Sequence, residues 1–222
     1  MQSWLFDFRS RSFVLLTILF LFLTLLVYSE TTKIFDESII NFFRENTGNP
    51  VLDMVMQIIT ESGDVFNMLM FGILILFIPK TRRVGITLMI LIVISTLLTG
   101  YIKCGVDRDR PEFNYEGVPF PVEISKDTFA LFCEVGFNAS YPSGHAARSI
   151  IFAIVLGFAL SNRFPHGAYL MFIYPLLVSI SRIYVLQHYP MDVIGGTVIG
   201  IMLAGVLANR TKLYKIFDKS KT

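Results

Sequence analysis

Long uncharged apolar runs, separated by short clusters of polar and turn-forming residues, dominate this chain. Six runs are legible, at roughly 13–28, 52–78, 84–101, 145–160, 168–185 and 191–208. A helix that crosses the hydrocarbon of a bilayer takes about 20 predominantly apolar residues. The pattern therefore predicts an all-α fold, a six-transmembrane-helix bundle forming one membrane domain over residues 1–222. The first run is slightly short but rich in Leu, Phe and Ile. The second contains Glu61, Ser62, Gly63 and Asp64. It divides into an outer lead-in helix over 51–60, dipping into the interface, and a membrane part over 65–78.

Arg9 and Arg11 before the first run give it the look of a signal peptide. No small-residue cleavage pattern follows Tyr28, where the chain reads Ser29, Glu30, Thr31, Thr32. A retained first helix is the expectation.

Composition sharpens the class. Hydrophobic residues make up 54% of the chain and the mean hydropathy is +0.62, whereas soluble domains hold about 45–50% apolar residues. A net charge of only +2 offers no basic field for nucleic acid. Most aromatic residues are Phe, 21 in number, which suits lipid-facing helix surfaces. The two cysteines, Cys104 and Cys133, show no Cys-x-x-Cys or Cys/His ligand spacing, which argues against structural zinc. Gly-rich phosphate loops and dinucleotide fingerprints are absent.

The distribution of charge orients the spans. Arg9, Arg11, Lys80, Arg82, Arg83, Arg163, Arg210, Lys212, Lys215, Lys219 and Lys221 fall on one side, with only Asp7 and Asp218 as acids. The other side takes the remaining 8 of 19 basic residues and 15 of 17 acids. Short cytoplasmic loops carry the Lys/Arg excess. Both termini are thus expected in the cytoplasm, with the chain in the plasma (inner) membrane.

Alternating helix direction then collects three polar segments at the extracytoplasmic face. Lys103 to Arg110-Pro111 follows the third span, and Tyr141-Pro142-Ser143-Gly144-His145 precedes the fourth. Ser181-Arg182, His188 and Asp192 bridge the fifth and sixth. Their chemistry suits a phosphoryl group. Arg110 and Arg182 can bind phosphate oxygens through planar forks, and Lys103 as a point charge. Ser143, Gly144 and His145 stand where the fourth helix begins, where free N–H groups and the helix dipole favour an anion. Gly144 lets the backbone approach the ligand. His188 precedes Asp192 by four residues. The carboxylate can accept from one ring nitrogen and leave the other as a nucleophile. Pro190 favours a helix start between them, so the shared face is approximate. His145, on another helix, is free to protonate a leaving alkoxide.

These segments resemble the motif set of the type 2 phosphatidic acid phosphatase superfamily, which also includes vanadium haloperoxidases and bacterial acid phosphatases. The family shows Lys-x6-Arg-Pro, Pro-Ser-Gly-His and Ser-Arg-x5-His-x3-Asp. Here Lys103, Arg110 and Pro111, then Pro142, Ser143, Gly144 and His145, then Ser181, Arg182, His188 and Asp192 fill every position. The resemblance implies a membrane lipid phosphatase acting on a phosphomonoester or diphosphate, such as phosphatidic acid, phosphatidylglycerophosphate, a polyprenyl diphosphate or a lipid A phosphate. It implies that His188 forms a phosphohistidine intermediate, Asp192 orients it, and His145 serves as general acid and then helps to activate water. Lys103, Arg110, Ser143, Gly144 and Arg182 would hold the phosphoryl oxygens. It implies an all-α core, no cofactor and no metal. A non-enzymatic lipid transporter is the rival class, but it would place charges near mid-span, and these spans are almost free of them.

Other polar residues carry plainer readings. Lys103, Arg110 and Arg182 could singly be snorkelling cations near helix ends. Arg148, about one turn beyond Gly144, either adds charge to the site or meets a lipid headgroup. Asp107, Arg108 and Asp109 read as a solvated loop with local ion pairs. Asp36 and Glu37 read as a helix start without a catalytic role, and Asp192 also suits the dipole of a helix N-terminus. His166 falls in a cytoplasmic loop. Cys104 and Cys133 either pair or leave Cys104 within a helix end. Asn138-Ala139-Ser140 is a glycosylation sequon too close to the proposed site to be occupied without hindering substrate. A short amphipathic helix is expected over 122–137, lying at the interface as a roof over the site.

Overall fold

The computed structural model describes residues 6–111, 133, 139–161, 164–211 and 213. Among them run nine helices: α1 (Arg11–Tyr28), α2 (Lys33–Asn46), α3 (Pro50–Ser62), α4 (Val65–Leu76), α5 (Arg82–Val106), α6 (Gly144–Leu160), α7 (Pro165–Leu170), α8 (Ile173–Tyr184) and α9 (Pro190–Arg210). The only extended pairing among the described residues is a single bridge between Asp109 and Ala139. The all-α expectation holds. The expected helix over 122–137 and the sequon at Asn138 lie outside the described residues.

Among the described residues, four stretches are long and apolar enough to cross a membrane: α1, α5, the stretch His166–Tyr184 that joins α7 to α8, and α9. The pair α3 and α4 adds a fifth if counted as one span, bent by 60°. Helix α6 is apolar but has only 17 residues, about 25 Å at 1.5 Å per residue, slightly under a hydrocarbon core of roughly 30 Å. The chain is an integral membrane protein.

Local chemistry accounts for the boundaries. Ser10 caps α1, its Oγ accepting from Phe13 N–H at 3.1 Å. The side chain of Asn49 accepts from Val51 and Leu52 N–H at the start of α3, and Asp64 accepts from Phe66 N–H at the start of α4. The polar interruption in the second apolar run is therefore a stop and a fresh N-cap, and the bend between α3 and α4 follows. Helix α1 buries only Leu23 and Val27. Leu15, Leu21, Phe22 and Leu25 stay exposed, as on a helix solvated by lipid.

The most enclosed helix is α6. It packs against α5, α8 and α9, and Ile151, Val155 and Phe158 meet Leu88, Leu91 and Ile92 of α5 and Ala204 and Ala208 of α9. The approach of α6 to α9 depends on Gly196. A Cβ there would run into the carbonyl group of Ser143 and come within 3.2 Å of its nitrogen. This close approach sets the N-terminus of α6 beside the first turn of α9, where the polar segments lie.

Candidate active site

The third motif forms where α8 ends. Leu186 takes a left-handed conformation, with φ of 54°, and the chain folds back so that Gln187 and His188 N–H both donate to the Arg182 carbonyl, at 3.1 and 3.3 Å. Tyr189 is the N-cap of α9, and Pro190 occupies its first turn, where the missing N–H costs nothing. Asp192 is then the third helical residue. Its Oδ2 accepts from Tyr189 N–H at 2.8 Å and lies 3.6 Å from His188 Nδ1. Both side chains are fully buried. That separation is slightly longer than a formed hydrogen bond, and catalytic contacts often tighten only with substrate in place.

The second motif meets the third through the backbone. Ser143 N–H donates to the Asp192 carbonyl at 2.9 Å, and Ser143 Oγ caps α6 by accepting from Ala146 N–H at 3.4 Å. His145 follows in the first turn of α6, fully buried. Tyr141, just upstream, bonds Thr24 of α1 at 3.0 Å and stacks on Phe20. Burial pushes its phenol up to about 12 despite that bond.

The first motif closes the cluster. Lys103 is buried in the last turn of α5, and its Nζ donates to the carbonyls of Ala139 at 2.8 Å and Ser140 at 3.3 Å. It therefore holds the strand of chain leading into Pro142-Ser143-Gly144-His145. Arg110 Nη1 donates to the backbone and side-chain oxygens of Gln187, at 3.3 and 3.0 Å, one residue before His188. Arg182 is fully buried and donates from Nη1 to Thr60 Oγ1 at 3.2 Å. All three motifs thus converge, and the break between α3 and α4 joins them.

Arg148 is also buried. It donates from Nε and Nη2 to the Gly63 carbonyl at 3.2 and 3.1 Å, and its Nη2 stands 3.3 Å from His145 Nδ1. Because a guanidinium only donates, His145 Nδ1 is the acceptor in this contact. A Cβ at Gly63 would come within 3.1 Å of the His145 ring. His166 sits exposed on the short helix α7. Cys104 and Cys133 form a disulfide.

One expectation is overturned. Arg108 does not pair locally with Asp107 or Asp109, both exposed. Its Nη1 donates to Asp192 Oδ1 at 2.8 Å and its Nη2 to Asp36 Oδ2 at 2.7 Å. Its guanidinium also lies 4.1 Å from the centre of the Tyr189 ring. Burial raises the Asp36 carboxyl above its usual range, and Arg108 pulls against that rise. No spacing rule could have found this link, since Arg108 is 72 positions from Asp36 and 84 from Asp192. The residues at the break between α3 and α4 were missed for the same reason, although polar residues inside an apolar run were a usable signal.

The sequence model of the PAP2 superfamily matches residues 84–214, a stretch that contains all three motifs. The chain belongs to the PAP2 superfamily. Among its PAP2 and other phosphatase relatives, an undecaprenyl-diphosphatase of Sulfolobus acidocaldarius is 31% identical over 150 residues, covering 67% of this chain and 66% of that protein. Glucose-6-phosphatase 3 of mouse is 28% identical over 178 residues, covering 74% of this chain and half of the mouse protein. This chain thus spans just under two thirds of the first relative and 50% of the second. The crystal structure of a transmembrane PAP2 type phosphatidylglycerolphosphate phosphatase from Bacillus subtilis superposes with a TM-score of 0.71 at 23% identity, covering 90% of this chain and 95% of that one. That likeness establishes the PAP2 membrane fold.

Proposed function

We propose that this protein is an integral membrane phosphatase that hydrolyses a phosphomonoester or diphosphate of a membrane lipid through a phosphohistidine. The observation that carries the reading is the junction of α6 with α9. There the His188–Asp192 pair and the N-terminus of α6 are held together by the bond from Ser143 N–H to the Asp192 carbonyl at 2.9 Å.

In this mechanism His188 Nε2 attacks phosphorus while Nδ1 faces the Asp192 carboxylate. The bond from phosphorus to the leaving oxygen breaks, and His145 gives that oxygen a proton. Water then attacks the phosphohistidine, His145 takes up its proton, and inorganic phosphate leaves with His188 regenerated. Arg182, Arg110 and Lys103 supply positive charge for the equatorial oxygens, with N–H groups of Ser143 and Gly144 at the start of α6. Each cation is now engaged by carbonyl or hydroxyl oxygens, partners that a phosphoryl group can replace.

Six crossings fit the helices if α3 with α4 makes one broken span and α6 another. The Lys/Arg bias supports cytoplasmic termini and an extracytoplasmic site. A lipid tail can then stay in hydrocarbon while only its phosphate enters the site. The name of the archaeal relative makes a polyprenyl diphosphate the first substrate to try. Purified protein in detergent should release phosphate from farnesyl diphosphate, phosphatidic acid, phosphatidylglycerophosphate or lipid A. His188→Ala should release none. Turnover by that variant at the wild-type rate would refute the mechanism, and activity confined to glucose 6-phosphate would refute the lipid reading.

A further inference from the structure

Helix α2 belongs to no motif, yet it carries a carboxylate as deeply buried as the one beside His188. Asp36 and Asp192 are both fully buried, and Arg108 lies between them with one nitrogen on each, at 2.7 and 2.8 Å. Four further contacts fix this arrangement. Asp36 Oδ1 accepts from Met191 N–H at 3.1 Å, and Asp36 Oδ2 accepts from Thr32 Oγ1 at 3.0 Å. The ring of Tyr189 lies under the guanidinium, and its hydroxyl donates to Glu37 Oε1 at 3.0 Å.

Asp192 consequently has its two oxygens committed to different tasks. Oδ1 takes Arg108, while Oδ2 takes Tyr189 N–H and faces His188 Nδ1. Held at Oδ1 by Arg108 and at Oδ2 by Tyr189 N–H, the carboxylate is fixed at two points and keeps Oδ2 facing His188. A guanidinium shared between two buried carboxylates also spares the dry site an isolated negative charge. Only Arg provides a planar fork long enough to meet both at once.

We propose that Arg108, anchored by Asp36 of α2, is a positioning residue that holds the Asp192 carboxylate against His188 for attack on phosphorus. The inference rests on the assignment of His188 as nucleophile. It gives the outer helix α2 a role in the chemistry through Arg108, one of the six unspecified positions within the first motif.

The test compares Arg108→Ala, Asp36→Asn, the double variant and Arg108→Lys, with wild type and His188→Ala as controls. Steady-state hydrolysis of farnesyl diphosphate and of phosphatidic acid is measured alongside thermal unfolding in the same detergent. Arg108→Ala should lower kcat by roughly 10- to 100-fold, the size of effect seen when a partner that orients a metal-binding side chain is removed, with KM changed by less than about twofold. Arg108→Ala leaves two buried carboxylates short of a partner, whereas the double variant removes one of those charges. The double variant should therefore regain thermal stability without regaining kcat. Arg108→Lys should restore part of kcat, because one ammonium replaces the charge but not the fork.

If kcat returns with stability in the double variant, or if the loss falls on KM alone, Arg108 is a structural bridge and the proposal fails. Should neither Ala-containing variant fold, Arg108→Lys decides: wild-type kcat there overturns the proposal, and a several-fold loss at unchanged KM sustains it. Failure of the underlying assignment looks different, since His188→Ala would then be as active as wild type on both substrates.

Discussion

His188 Nδ1 and Asp192 Oδ2 lie 3.6 Å apart across the start of α9, both sealed from solvent. The four-residue spacing alone would not place them so. Tyr189 N–H fixes the carboxylate from within the same turn, and the fold-back of Gln187 and His188 onto the Arg182 carbonyl fixes the imidazole. Asp192→Asn should keep this shape while removing the negative charge, and should present an amide where the ring needs an acceptor. Loss of the analogous orienting carboxylate in a hydrolytic triad costs about 10⁴ in kcat. We expect a fall in kcat of at least about 10², read by phosphate release, together with a lower unfolding midpoint, because Arg108 loses one of its two buried carboxylates. A variant within threefold of wild type would count against an orienting role.

Arg182 tests the phosphate cradle. Its bond to Thr60 ties the end of α8 to the end of α3, so Arg182→Ala would confound folding with binding. Arg182→Lys keeps the charge and drops the fork. Hydrogen bonds to charged groups are worth roughly 1.5–3 kcal/mol, so kcat/KM should fall by about 10- to 100-fold. Retention of full kcat/KM would remove Arg182 from the cradle.

Gly196 tests the junction without touching a polar side chain. The atoms that a Cβ would strike belong to the backbone of Ser143, which cannot swing aside as a long side chain could. Gly196→Ala should therefore force α6 and α9 apart, at a cost of about 1–3 kcal/mol. The readout is a drop of several degrees in the unfolding midpoint in detergent, accompanied by loss of turnover. An unfolding midpoint equal to wild type would show that the helices do not approach so closely.

The Cys104–Cys133 disulfide closes a separation of 29 residues beside Lys103. Chain-entropy arguments give about 3.6 kcal/mol for a loop of that size. Dithiothreitol should lower the unfolding midpoint of wild type, and a Cys104→Ser/Cys133→Ser variant should match the reduced protein and ignore the reductant. Equal midpoints for oxidised and reduced wild type would deny the bridge a stabilising role.

A mechanism that runs on imidazole and guanidinium groups has no step that needs a divalent cation. Turnover should persist at its full rate in excess EDTA, and vanadate, which can adopt the trigonal bipyramidal shape of the transferring phosphoryl group, should inhibit it. A strict magnesium requirement would count heavily against the proposed chemistry.

What the sequence determined by itself follows from two local quantities. Uninterrupted apolar length makes the runs around α1, α5 and α9 helices that can cross a bilayer, because unsatisfied backbone groups are not tolerated in hydrocarbon. Fixed spacing singled out Lys103, Arg110, Ser143, Gly144, His145, Arg182, His188 and Asp192 as one candidate set for binding a phosphoryl group, since each motif lies within a turn or two of a helix end. Even the break at Glu61–Asp64 was visible as polarity inside an apolar run. Only the tertiary structure decided how these pieces meet. The bonds from Ser143 to Asp192, from Arg182 to Thr60, from Arg148 to Gly63, and from Arg108 to Asp36 and Asp192 join residues distant in the chain. Each exists because buried charges and polar groups must find partners wherever helix packing brings one within reach, and no periodicity along a chain encodes that choice.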